Sequence, residues 1–81
     1  MNVRVVAFAN VREILETSPR SLDLPEGARA GEAWNALEAL FPALRAHRSS
    51  VRIARNGRIV SLNESLLDGD ELALLPPVGG G

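Results

Sequence analysis

The amino-acid sequence predicts an α+β fold, a mixed β-sheet packed on one main helix. Three observations lead there. The segment from Ala30 to Leu44 carries apolar residues at helical spacing, and five short β-prone runs surround it. The first and last of these runs are the most apolar, which suits strands at the centre of a sheet. The 81 residues allow one small domain, and 46% hydrophobic with 23% charged residues is a globular balance.

Met1–Phe8 is the first strand, with Val3, Val5 and Ala7 on one face and Val6 and Phe8 on the other. Apolar residues on both faces predict cover on both sides for part of its length. Asn10, three residues before Glu13, reads as the N-cap of a short helix over Val11–Glu16, with Glu13 completing a capping box. Ser18-Pro19 ends that helix, since proline disfavours helix in the residue before it. Arg20–Leu24 alternates polar and apolar as a half-buried strand does, and Pro25-Glu26-Gly27 is a turn.

The main helix comes next. Ala30, Ala33, Trp34, Leu37, Leu40 and Phe41 form its apolar stripe, with Glu32, Asn35 and Glu38 on the outer face. Pro42 closes the regular part at about Phe41, and a looser turn is expected to carry Leu44 into the core. Val51–Ala54 and Arg58–Leu62 flank Asn56-Gly57, a strong hairpin signal. Asp68-Gly69-Asp70 is a further turn, Glu71–Leu75 the final strand, and Pro76-Pro77 its stop. If the first and last strands lie side by side, this order is the β-grasp, or ubiquitin-like, fold. Residues 1–77 are the expected domain and residues 78–81 a flexible glycine tail.

Several function classes are excluded by composition. With no cysteine there is no disulfide framework, thiolate metal site or cysteine nucleophile. A single histidine cannot start a zinc site, and His47, among Ala46, Arg48, Ser49 and Ser50, reads as a solvated loop residue rather than a general base. No apolar stretch approaches the ~20 residues of a membrane span. The opening residues lack an export signal, so the expected compartment is cytoplasmic. A net charge of −1 argues against a dedicated nucleic-acid binder. All nine basic residues are arginine, which leaves no lysine amine for a Schiff base or for attachment of another protein. Arg45, Arg48, Arg52, Arg55 and Arg58 form a basic stretch, whereas residues 61–81 carry four acids and no base. Such segregation either steers a charged partner or compensates across the fold. Trp34, on the helix stripe, is a core candidate.

The C-terminus is chemically distinctive. Three glycines after a Pro-Pro stop have no side chains and high backbone freedom. Val78–Gly81 spans roughly 13 Å when extended, at ~3.3 Å per residue. It is either a frayed end or a thin tail that threads a narrow channel and presents its carboxylate there. A carboxylate is a poor electrophile, so the second reading requires activation by a partner, typically as an acyl-adenylate.

At these residues the sequence resembles the small subunit of molybdopterin synthase, the MoaD-like sulfur carriers of the MoaD/ThiS family. Phe8-Ala9-Asn10-Val11-Arg12-Glu13 is similar to that family's Phe-Ala-x-x-Arg-Glu segment, Asn56-Gly57 to its hairpin, and Leu67-Asp68-Gly69-Asp70-Glu71 to its last turn. Pro76-Pro77-Val78 with Gly80-Gly81 is similar to its ending. The resemblance implies that an ATP-dependent adenylyltransferase activates Gly81 and that a sulfurtransferase system converts it to a thiocarboxylate. The tail then enters the large synthase subunit and donates sulfur to cyclic pyranopterin monophosphate, in a heterotetramer whose catalytic side chains belong to the large subunit. The chain itself is expected to bind no cofactor and no metal; ATP is used by the activating enzyme. Gly79 departs from the family's usual Ser, Thr or Ala. The Val-Gly-Gly-Gly ending is similar to the sulfur carrier of thiamin thiazole synthesis, so carriers for thiamin or thiolated tRNA stay open, as do a protein modifier joined through Gly81 and a plain binding module. Gly79 and Gly80 are the expected threading residues, because a side chain there would widen the tail. Phe8, Leu74, Leu75 and Pro76 are the expected docking residues, on a sheet face that the helix leaves uncovered.

Overall fold

The computed structural model describes residues 1–77. Five strands, β1 (Asn2–Ala7), β2 (Arg20–Asp23), β3 (Arg52–Arg55), β4 (Arg58–Val60) and β5 (Glu71–Leu75), form one sheet in the order β2-β1-β5-β3-β4. β1 and β5 are parallel and every other pair is antiparallel, which makes the sheet mixed. The first and last strands thus lie side by side at its centre, as their apolar runs predict.

Helix α2 (Ala30–Leu40) covers one face of the sheet. Val3, Val5, Ala7, Leu22, Ile53, Leu72 and Leu74 point to it and pack with Ala33, Trp34 and Leu37. Pro42 supplies no donor, so α2 stops at Leu40 and a 3₁₀ turn, Pro42–His47, succeeds it. That turn delivers Leu44 to full burial, as expected. His47 is its last residue and is half-buried, not the solvated loop residue that its polar neighbours suggest.

The opposite face is open. Val6 is only half-buried and Phe8 is exposed, so β1 is covered on one side and not, as its two apolar faces suggest, on both. Helix α1 (Ala9–Leu15) also differs from expectation. Asn10 does not cap it but lies inside it; Phe8 is the N-cap, and its carbonyl accepts from the amides of Val11 and Arg12 at 3.1 and 3.2 Å. The helix must begin at once after β1 if Val11 and Leu15 are to reach the core, and Ala9 turns the corner with φ of 50°. At the other end Glu16, with φ of 66°, caps the helix through its amide to Glu13 O at 3.2 Å.

Loop 61–66 closes the N-terminus of α2. Ala30 N donates to Glu64 O at 2.9 Å and Gly31 N to Leu62 O at 2.8 Å, satisfying two amides that the helix cannot. A Cβ on Gly31 would stand 3.1 Å from that Leu62 oxygen, so the close approach favours glycine. Glu32 Oε1 accepts from Arg29 N at 3.2 Å and completes the helix start.

Candidate functional site

The root of the tail is built by β5. Leu72 and Leu74 of this strand face the helix, while Ala73 and Leu75 face the open side. Pro76 and Pro77 come next, half-buried and exposed respectively. Gly79, Gly80 and Gly81 lie outside the described residues.

Register fixes the surroundings of this root. In the parallel ladder Ala7 lies opposite Leu74, so Phe8 and Leu75 are the next residues at the same end of the sheet. One step back, Val6, Ala73, Ala54 and Ile59 form a row across four strands, all on the open face. Phe8 is 47% exposed and Ile59 50%, so the face offers apolar area to a partner. Of the expected docking residues, Phe8, Leu75 and Pro76 stand on the uncovered side at this end of the sheet. Leu74 does not: it is 1% exposed and packs under α2, because strand alternation turns it inward. Ile59 has the place that Leu74 lacks. The signal for it was the hairpin itself, since a two-residue turn sets Ile59 opposite Ala54.

The register of β5 is held by a polar cluster that local sequence patterns do not reveal. Asp70 is buried, at 6% exposure. It accepts from Arg55 Nε at 2.7 Å, Leu67 N at 2.7 Å and Asn56 Nδ2 at 2.9 Å. Burial by itself would raise its carboxyl, but these donors outweigh burial and hold it below the usual carboxylate range. Arg55 also reaches Glu64 at 3.0 Å, and Asn56 Oδ1 accepts from Glu71 N at 2.9 Å. Asn56 and Gly57 have φ of 49° and 86°, the geometry of a primed hairpin turn. The hairpin, the 61–70 loop and the start of β5 are thereby one unit. Part of the basic stretch is consumed in the same way: Arg45 donates to Glu38 at 3.2 Å, and Glu38 also accepts from Trp34 Nε1 at 2.6 Å. Among the described residues no group of three His, Cys, Asp or Glu is placed to hold a metal, and no helix is long and apolar enough to cross a membrane.

A family model, the ThiS family, matches residues 5–81. The chain belongs to the ThiS family. A molybdopterin synthase sulfur carrier subunit from Mycobacterium tuberculosis is 37% identical over 100% of this chain and 99% of its own length. The small archaeal modifier protein 1 of Haloferax volcanii is 34% identical over 91% of this chain and 94% of its own. Its crystal structure superposes with a TM-score of 0.88, at 32% identity over 100% of both chains. A chain in the complex of subunits 1 and 2 of the Helicobacter pylori molybdopterin-converting factor is 28% identical, with a TM-score of 0.69 and full coverage of both chains. A Caldiarchaeum subterraneum ubiquitin, at 21% identity and a TM-score of 0.66 over 100% of this chain and 98% of its own, shares the fold. The ThiS-family chain is therefore a ubiquitin-like β-grasp protein.

Proposed function

We propose that this protein is a sulfur carrier and the small subunit of molybdopterin synthase. The observation that carries the reading is where the tail starts. A central strand, β5, ends in Pro76-Pro77 beside exposed Phe8 and Ile59, and the sequence continues with Val78 and three glycines. A rigid strand sets the position and direction of the root, and glycines keep the segment beyond it thin. Full-length similarity to named sulfur carrier subunits supports the same assignment.

The chemistry then runs through Gly81. An ATP-dependent adenylyltransferase joins AMP to the terminal carboxylate and releases pyrophosphate. A sulfurtransferase persulfide attacks the acyl-adenylate and expels AMP, and a second thiol then cleaves the resulting acyl disulfide, forming a disulfide and leaving the thiocarboxylate. The tail enters the large subunit, which uses the thiocarboxylate to sulfurate cyclic pyranopterin monophosphate, and the carrier returns as the carboxylate. The chain itself holds no cofactor in this scheme. Its task is presentation: the open face docks while Gly79 and Gly80 thread.

A second reading has its own support. The similarity to an archaeal modifier protein fits a chain whose Gly81 is joined to amines of other proteins. Intact-mass analysis separates the two after incubation with ATP, a sulfur source and extract of the source cells. The carrier gains one oxygen-to-sulfur exchange at Gly81; isopeptide adducts without that exchange would establish the modifier instead.

A further inference from the structure

The five arginines between positions 45 and 58 have different fates. Arg55 is engaged by Asp70 and Glu64, and Arg45 and Arg48 lean on Glu38 at 3.2 and 3.9 Å. Arg52 and Arg58 are exposed and form no ion pair among the described residues, but Arg58 lies opposite Arg55 in the hairpin, away from the root of the tail. Arg52 instead lies opposite Leu75 in the β3–β5 ladder, on the open face at the root of the tail. There it borders a groove of about 560 Å³, walled by Ser49, Ser50, Ile59, Leu75, Pro76 and Pro77. A second groove, of about 260 Å³, shares Arg52 and Ile59 and adds Arg48. Among the described residues no carboxylate lines either groove, and the sequence holds no acid between Glu38 and Glu64. Arg4, on the same face, lies instead opposite Glu71.

We propose that this groove is a subsite for an acidic side chain of the protein that receives the tail, with Arg52 as its ionic contact. The Ile59, Leu75 and Pro76 wall supplies the apolar part of the same contact. The inference rests on the carrier reading above and adds the charge of the partner's surface to it. A guanidinium with no ionic partner among the described residues, beside an apolar wall, is poised to pair with a carboxylate in fork geometry. When the partner covers the wall, water leaves and the pair strengthens. A single carboxylate satisfies this site. An extended polyanion is disfavoured, because a strand running on across the face meets Glu71 and a chain of net charge −1.

The test uses the purified protein and the purified large molybdopterin synthase subunit of the same source, with affinity measured by calorimetry from about 50 to about 500 mM salt. Arg52→Glu is compared with Arg45→Glu, which changes net charge equally but sits on the 3₁₀ turn at the end of α2. Circular dichroism checks that both fold. At the low-salt end Arg52→Glu is expected to weaken association about tenfold or more, and the gap to close as salt rises, while Arg45→Glu stays within about twofold of the parent. Equal affinity for Arg52→Glu and the parent at all salt concentrations, with sulfur transfer intact, would overturn the acidic contact and leave the carrier reading standing. If the parent neither binds the large subunit nor transfers sulfur, both fall together.

Discussion

Ala7 lies opposite Leu74 in the parallel β1–β5 ladder, and the two strands therefore end within one residue of each other. Their next residues, Phe8 and Leu75, mark the edge from which the tail departs. Side-chain alternation divides labour at this edge, with Leu74 packing under α2 and Phe8 standing in the open.

Substitution should separate these roles. Leu74→Ala removes a fully buried side chain and is expected to lower stability by about 2–5 kcal/mol. Phe8→Ala is expected to change stability by only about 0.5 kcal/mol, yet to weaken association with the large synthase subunit about tenfold or more. Urea titration and calorimetric binding of both variants check the pair of outcomes. A Phe8→Ala protein that binds normally would move the docking surface elsewhere.

The Asp70 cluster predicts acid sensitivity. Its carboxyl is held below the usual range in the folded state, since the Leu67, Arg55 and Asn56 donors outweigh burial. The folded state therefore favours the ionised form. That stabilisation is present above the unfolded carboxyl value of about 3.9 and is lost as pH falls through the lower folded value. Glu38 acts in the same direction, where bonds from Trp34 and Arg45 outweigh burial. Asp70→Asn should cost about 2–4 kcal/mol near neutral pH, because it leaves Arg55 without its closest carboxylate. The variant should also lose less stability than the parent between about pH 5 and pH 2. Thermal unfolding across that range is the measurement, and parallel pH profiles for the two proteins would count against the cluster's role.

That cluster also shows where the sequence stops being legible. Local pattern suffices for α2, for the Asn56-Gly57 turn and for the placement of β1 and β5, because period and turn chemistry are properties of neighbouring residues. Asp70 reads only as a turn residue, and its partners Arg55 and Asn56 are 15 and 14 positions away. A clue exists, since Arg55 alternates with Ile53 on the inward face and an inward charge calls for a partner. The loop carbonyls of Leu62 and Glu64 that cap α2 leave no comparable sign. The start of α1 departs from expectation for a related reason: Asn10 is a good capping residue, but the need to bring Val11 and Leu15 into the core moves the cap to Phe8. At the site, alternation along Glu71–Leu75 already contains the inward turn of Leu74; the face that the helix covers is not encoded in that strand alone.

Glu16 offers a gain in stability. It holds φ of 66° at the end of α1 and is exposed, so its side chain adds strain without packing. Glu16→Gly should raise stability by about 0.5–1 kcal/mol, net of the extra freedom glycine gives the unfolded chain. A melting temperature that falls for this variant would show that the Glu16 side chain contributes more than its backbone costs.

The strongest test of the tail is a single glycine. Gly80 comes three positions after Pro77, in the segment that the sequence reads as a glycine tail, so a larger side chain there is expected to leave the core undisturbed. Gly80→Val should leave the melting temperature within about 1 °C of the parent, as surface changes away from packing usually do. Its effect belongs to the partners. If the tail threads as proposed, a branched side chain stiffens and widens it, so Gly81 would no longer reach the activating and sulfur-accepting centres in productive geometry, where a misplacement of about 1 Å can cost on the order of 100-fold in rate. Thiocarboxylate formation on Gly81, monitored by intact mass, and sulfur transfer to cyclic pyranopterin monophosphate should each fall by at least that factor. Docking through Phe8, Leu75 and Ile59 should survive in part, so the variant should compete with the parent for the large subunit while remaining unable to supply it. A Gly80→Val protein that is activated and donates sulfur at the parent rate would mean that nothing narrow surrounds the tail, and the case for a threaded carrier would lose its physical basis.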